Sequence, residues 1–333
     1  MTVHQDGYIK FVREKIGHEL IYLVYAVGIV LDDNGHILVQ RRYEFAWWDL
    51  VGGAKEINEN ISECMIREAC EESGLEITIE HMVGVYSHPD YTIQYPNGDR
   101  VQPWAVCFVC RVAGGAVQPD GKEILEVTFK PLHELLPHPH PIFDRMLRDA
   151  FPDGHTNSSP IPALVMEMPF EADYTQPAHT ALRQHIKREP IILPGAMMVV
   201  FDDVGRMLVT DHAVFDAWDF PGGFSDLGET TTRTAIREVH EETGLEVEAV
   251  RALGVYSDPS LMRGEYPNGD VVYGVGLLFE GRVIGGELRA DGTESRDVAF
   301  LPPEAIAAQP NLRPLTRQIL QDIVNIEAHP FIR

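Results

Sequence analysis

Positive charge is scarce in this chain: 27 Lys and Arg stand against 51 Asp and Glu, a formal net charge of −24 over 333 residues. Affinity for nucleic-acid backbones and anionic membrane surfaces rests on Lys and Arg neutralising phosphates, so neither a nucleic-acid polymer nor a membrane is an expected partner. No apolar run approaches the roughly 20 residues that a membrane span needs. The nearest candidate, around Leu20–Leu31, is interrupted by Tyr22, Tyr25 and Gly28 and reads as a buried strand. The opening MTVHQDGYIK lacks the basic-then-apolar order of a secretory signal. Cysteine is rare and one-sided, with Cys64, Cys70, Cys107 and Cys110 all in the first half. Disulfides therefore do not define the fold, and a reducing cytoplasm is the expected setting. Cys107 and Cys110 form a CxxC, but in the strand-like run WAVCFVC an offset of three puts them on opposite faces, as small core residues.

What is present is one unit written twice. RRYEFAWWDLVGG (41–53) matches DHAVFDAWDFPGG (211–223) at an offset of 170, and REKIGHELIYLVYA (13–26) aligns with RQHIKREPIILPGA (183–196) at the same offset. Further on, GVYSHPD (84–90) meets GVYSDPS (254–260), and YPNGD recurs at 95–99 and 266–270, an offset of 171. These repeats predict two homologous domains, 1–151 and 179–333, joined by a linker over 152–178 that opens with the turn-rich PDGHTNSSPIP. Each half reads as an amphipathic lead-in, two strands (YAVGIVLDD, HILVQRR; AMMVVFDD, RMLVTDH), a Gly-Gly loop, a helix, further strands and a closing helix. Asn97-Gly98 and Asn268-Gly269 predict type I′ hairpins. The implied class is α/β, a mixed sheet with helices packed on it.

REACEESG (67–74) and REVHEETG (237–244) crowd glutamates onto one helix side. At about 100° per residue, Glu68, Glu71 and Glu72 share about a third of the circumference, as do Glu238, Glu241 and Glu242. Asn60 with Glu63, and Thr230, supply N-caps; Gly74 and Gly244 supply stops. Ile66, Ala69, Cys70 and Ser73 are expected to pack on the sheet, with Ile236 and Val239 in the second half. Like charges at these spacings destabilise a helix. They nonetheless recur, although most residues between 53–75 and 223–245 differ. A solvated face could exchange Glu for Lys, Gln or Asp at little cost. Binding of a hard divalent cation, Mg²⁺ or Mn²⁺, by several carboxylates explains the recurrence.

GAKEINENISECMIREACEESGL (53–75) resembles a complete Nudix box, and GFSDLGETTTRTAIREVHEETGL (223–245) resembles it equally. The resemblance reaches most of both halves. It implies two tandem Nudix folds, each an α/β/α sandwich around a mixed sheet, with intramolecular pairing of the halves as a pseudo-dimer. It also implies metal-dependent hydrolysis of a small-molecule nucleoside diphosphate derivative, ADP-ribose-like compounds being favoured. Carried onto this sequence, Glu68 and Glu72 are implied metal ligands, with Glu71 as ligand or base; Glu238, Glu242 and Glu241 match them. Arg67 and Arg237 are implied to hold box carboxylates by charge-assisted hydrogen bonds, and Glu59 and Glu229 to support them. Gly53 and Gly223 let the loop approach the metals and substrate. Outside the box, Glu123 and Glu294 hold equivalent places (DGKE; DGTE) and are candidates for base, extra ligand or turn residue. Arg41 and Arg42 are candidate phosphate contacts that TDH (210–212) lacks. Trp48 and Trp218, with Trp47, Tyr86 and Tyr256, are either core or base-stacking residues. Val51 in place of Pro221, and Asn58 in place of Gly228, alter the loop flanks without removing a ligand. The leading expectation is two competent sites. The alternatives are one working and one supporting site, or a nucleotide sensor that does not hydrolyse.

Overall fold

The apolar runs become strands covered on both faces, and the covering helices carry the chemistry. In the computed structural model, which describes residues 7–119, 121–156, 164–324 and 330–333, the chain divides between Val165 and Met166 into two units. Residues 157–163 of the expected linker, the opening segment 1–6 and Asp120 of DGKE lie outside the described residues. No described helix is long and apolar enough to cross a membrane.

The first unit runs α1 (Tyr8–Ile16), β1 (Leu20–Leu31), β2 (Ile37–Arg42), β3 (Asp49–Ala54), α2 (Ile61–Ser73), β4 (Leu75–Tyr86), β5 (Ile93–Gln94), β6 (Arg100–Gly115), β7 (Ile124–Lys130), α3 (Leu132–Leu135) and α4 (Pro141–Ala150). Its seven strands form one sheet in the order β4-β6-β1-β3-β2-β7, with β5 beside β6. β1 and β6 run parallel over their whole paired length, from Leu20↔Arg100 to Leu31↔Arg111, and the other pairs are antiparallel. Alternate residues of β1 serve opposite layers. Val27, Ile29 and Leu31 join Ile142, Met146 and Leu147 of α4 in one core, while Gly28 lies under Met65 of α2. That is an α/β/α sandwich.

The second unit runs β8 (Glu171–Pro177), α5 (Ala178–Ile186), β9 (Ile191–Val200), β10 (Met207–His212), β11 (Ala217–Asp219), β12 (Gly222–Phe224), β13 (Asp226–Glu229), α6 (Thr231–Thr243), β14 (Leu245–Tyr256), α7 (Pro259–Met262), β15 (Arg263–Glu265), β16 (Val271–Gly286), β17 (Ser295–Leu301), α8 (Pro303–Ala307), α9 (Pro314–Val324) and β18 (Phe331–Ile332). The parallel pair recurs as β9 and β16. Here the sheet is interrupted: β12-β9-β16-β14-β18 with β15, and β11-β10-β17, bridged between Phe201 and Met207. Pro221 is the cause, because it has no N–H to continue the ladder where Val51 carries β3 through unbroken. Glu171–Pro177, inside the stretch expected as a linker, instead forms β8 and pairs with β13.

Two local expectations need correction. Neither YPNGD turn is type I′. Among the described residues Asn97 and Asn268 keep negative φ, while Gly98 and Gly269 take φ 93° and 85°. Pro96 fixes a negative φ at the first corner, so the turn closes through Gly98 N–H to Tyr95 O at 2.9 Å, with the left-handed residue last. Asn58, by contrast, reproduces the backbone of Gly228, at φ 70° against 98°; its short polar side chain tolerates the left-handed region.

Candidate active site

α2 and α6 occupy the spans their caps dictate. Asn60 Oδ1 accepts from the backbone N–H groups of Ser62 and Glu63, both at 2.9 Å, and Glu63 Oε2 accepts from Asn60 N at 2.8 Å. Gly74 closes the helix at φ 73° and Gly244 closes α6 at 71°. The packing face is rotated from the expected one. Ile66 and Cys70 are exposed, whereas Ile61, Cys64, Met65, Ala69 and Glu72 are buried. Glu72 lies three residues after Ala69 and seven after Met65, so the sheet covers it, and Glu242 follows the same logic in α6.

In both units one arginine gathers the box carboxylates. Arg67 Nη2 and Nε donate to Glu59 at 2.7 and 3.0 Å, and Nη1 donates to Glu68 at 2.7 Å and Glu71 at 3.1 Å. Arg237 repeats this with Glu229 at 2.9 and 3.2 Å, Glu238 at 2.7 Å and Glu241 at 3.0 Å. Each arginine also donates at 3.1 Å to the carbonyl that ends a strand, Ala54 O of β3 or Phe224 O of β12, which ties the helix to the strand just after the glycine pair. Hydrogen bonding to Glu59 raises the Arg67 pKa; burial alone would lower Arg237, and its carboxylate partners reverse that. A side chain at residue 53 would intrude on the Glu68 carboxylate, and one at 223 on Glu238, closer than real Cβ contacts allow. Glycine there lets the carboxylates reach the loop.

Each carboxylate set borders a cavity, of about 790 Å³ in the first unit and 400 Å³ in the second. Glu68, Glu71, Glu72, Glu123, Arg42 and Gly53 line the first. Glu238, Glu294, Arg237 and Gly223 line the second, while Glu241 faces a separate acidic groove across Arg237. Several substrate candidates lie elsewhere. Arg41 points away from the cavity, with Nη1 3.8 Å from Glu126 and its guanidinium over the Trp48 ring. Trp48 and Trp218 pack against the cores, whereas Trp47, in the non-strand segment before β3, is the one turned to the cavity. Tyr86 and Tyr256 are fully buried, their hydroxyls 3.1 Å from Asp149 and 2.9 Å from Asp322.

Beside Trp47, the aromatic wall is made by Phe45, Tyr95, Phe215 and Tyr266, which were not among the candidates. Phe45 and Tyr95 meet at 5.7 Å between centroids, and Phe215 and Tyr266 at the same distance. Their signal was present, since both tyrosines begin the repeated YPNGD. Trp47 stacks on Phe45 at 4.8 Å, where the second unit has Ala217.

The buried carboxylates carry the cost of lost hydration. Burial raises Glu68, pushes Glu72 up to about 8 and Glu238 to about 7, and raises Glu242 strongly, with Glu238 and Asp219 adding repulsion. Among the described residues no three His, Cys, Asp or Glu side chains already converge as a preformed metal cage. The donors present nonetheless fit a hard divalent ion. They are carboxylate oxygens, they repel one another, and Glu242 Oε2 is buried with no hydrogen-bond partner.

The NUDIX domain matches the chain twice, over residues 22–151 and 192–323. A putative 8-oxo-dGTP diphosphatase of Bacillus subtilis is 31% identical over 109 residues, covering 33% of this chain and 66% of that protein. An ADP-ribose pyrophosphatase of Methanocaldococcus jannaschii is 41% identical over 80 residues, covering 24% and 43%. The chain thus spans less than two thirds of either relative. The crystal structure of an ADP-ribose pyrophosphatase from Streptococcus suis, 20% identical, aligns with 41% of this chain and 94% of its own at a TM-score of 0.33.

Proposed function

The chain belongs to the Nudix family, and from that premise we propose that it hydrolyses the pyrophosphate linkage of small nucleoside diphosphate derivatives at two sites, one per unit. The observation that carries the reading is the repeated cluster in which Arg67 and Arg237 each bind three box carboxylates beside a cavity. Glu68, Glu71 and Glu72, and likewise Glu238, Glu241 and Glu242, would hold Mg²⁺ or Mn²⁺. A bound ion supplies Lewis acidity toward the phosphoryl oxygens and a water of lowered pKa.

The chain's own residues do the rest. Arg67 fixes Glu68 and Glu71 relative to Glu59, so the carboxylates need not reorganise when charge develops. Glu71, more than half exposed at its side chain, can take a proton from an attacking water. Glu123, whose Oε2 accepts from Arg42 at 2.7 Å, is the alternative base on the facing loop; Glu294 borders the second cavity in its place. Trp47, Phe45 and Tyr95 offer a flat surface to a nucleobase, in a cavity large enough for a dinucleotide-sized ligand. ADP-ribose-like compounds are the favoured class. A reducing cytoplasm suits the four free cysteines.

The test is product formation from ADP-ribose, a dinucleoside polyphosphate, NADH and an oxidised nucleoside triphosphate, each with Mg²⁺, with Mn²⁺ and with EDTA. Metal-dependent release of a nucleoside monophosphate from one class supports the reading. No turnover of any class by folded, metal-loaded protein overturns it in favour of a ligand-binding role.

A further inference from the structure

Two positions have exchanged residues between the units. Arg42 ends β2 opposite Ile124 of β7, and His212 ends β10 opposite Ser295 of β17. On the opposite wall, His140 caps α4 before Pro141, and Arg313 stands before Pro314 at the start of α9. The first unit therefore has its arginine on the strand and its imidazole at the helix, and the second has the reverse. All four side chains line the two cavities.

The arginines neutralise different acids. Arg42 Nη1 donates to Glu72 Oε1 at 2.8 Å, and its Nη2 to Glu123 at 2.7 Å. Gln40 Nε2 and Gly52 N occupy Glu72 Oε2, both at 2.9 Å. Both oxygens of Glu72 are thus engaged by protein donors. Arg313 instead donates to Asp219, which Thr316 also bonds at 2.7 Å, and lies 4.1 Å over the Phe215 ring. Among the described residues no arginine bonds Glu242. Thr210 replaces Gln40, and its hydroxyl is buried without a partner, as is Glu242 Oε2. His212 Nδ1 accepts from Val214 N at 3.2 Å and is committed to its own turn.

We propose that Arg42 is a built-in counter-cation which weakens divalent-metal binding in the first unit, so that the second unit loads first and the first fills only at higher metal concentration. The inference rests on the metal-binding reading above. A cation approaching Glu72 competes with charge-assisted arginine bonds, whereas one approaching Glu242 has no arginine to displace and meets an oxygen without a hydrogen-bond partner. Arg42 is thereby a positioning residue for Glu72 and Glu123.

The experiment is a Mn²⁺ titration of the full chain, with free Mn²⁺ followed by electron paramagnetic resonance. Wild type should show two phases at least fivefold apart. Glu238→Gln with Glu242→Gln should abolish the tighter phase, and Glu68→Gln with Glu72→Gln the weaker. In the first of these chains Arg42→His should strengthen the remaining phase at least fivefold, and in the second His212→Arg should weaken it by as much. Circular dichroism identifies any variant that fails to fold, and the wild-type phases need no substitution. Equal phases, the reverse assignment, or no response to Arg42→His overturns the asymmetry alone. No Mn²⁺ binding to wild type overturns the metal reading with it.

Discussion

Arg67 faces Glu59 through two parallel hydrogen bonds, Nη2 to Oε1 at 2.7 Å and Nε to Oε2 at 3.0 Å. The Arg237 fork to Glu229 repeats them, but in drier surroundings: Glu229 is 1% exposed at its side chain, against 14% for Glu59. Leaving a carboxylate without its partner costs more where water cannot reach it. Arg67→Ala should destabilise the metal-free first unit by about 1–2 kcal/mol, and Arg237→Ala the second by about 3 kcal/mol or more. Urea unfolding of the two variants checks the order; equal losses would remove burial as the deciding factor.

Gly53→Ala should injure catalysis more than folding. The added methyl meets a movable carboxylate, Glu68, rather than backbone, so the side chain swings aside and the fold survives. A misplaced catalytic group costs on the order of a hundredfold. The expected result is a loss of about that size in the first unit's kcat/KM with unchanged circular dichroism, and the same for Gly223→Ala in the second. Each is read in a chain whose other unit is silenced. Full activity with alanine would show that Glu68 needs no such proximity to the loop.

Two independent sites predict a particular pattern of glutamine variants. Glu71→Gln with Glu72→Gln should leave the second unit's turnover, and Glu241→Gln with Glu242→Gln the first's. All four together should lower activity by about a thousandfold or more. Either pair alone abolishing all turnover in folded protein contradicts independence and favours one working site.

Asp49 should make the metal-free first unit less stable as pH rises. Burial pushes its carboxyl up to about 7, and its Oδ2 is buried without a partner while Trp47 Nε1 donates to Oδ1 at 2.6 Å. Unfolded, the group titrates near 4. Below that pH it is neutral in both states. Between about 4 and 7 the folded state binds the extra proton, and stability declines until the folded group has ionised. Asp49→Asn removes this slope, so the variant should gain at least about 1 kcal/mol at pH 8 relative to pH 5 in EDTA. An unchanged difference between the two pH values would mean that another group sets the slope.

Much of this is legible in the sequence. Capping chemistry fixed the ends of α2 locally, through Asn60, Glu63 and Gly74, and the box glutamates recur because their spacing is confined to one helix. The interruption at Pro221 follows from a single residue whose missing N–H is legible in the sequence. Orientation was harder. Trp47 and Trp48 are adjacent, and nothing in the order of letters says which faces the cavity. Arg42 and Glu123, or Asp219 and Arg313, are brought together only by the folded sheet, so which acid each arginine neutralises was hidden. The buried face of α2 lies one position from the expected one because Glu72 sides with Met65 and Ala69 rather than with its charged neighbours.

The exchange of Arg42 and His140 for His212 and Arg313 has a historical consequence. Two halves descended from one ancestor began with the same residues at both positions, so the changes separating them passed through an intermediate. Taken one at a time, those changes put arginine at both positions or at neither. Either the extra guanidinium had an acid to hold it, or an acid stood unheld for a time. Rebuilding the four combinations in one unit would retrace that path, and the combination that still folds and binds metal is the one evolution could have crossed.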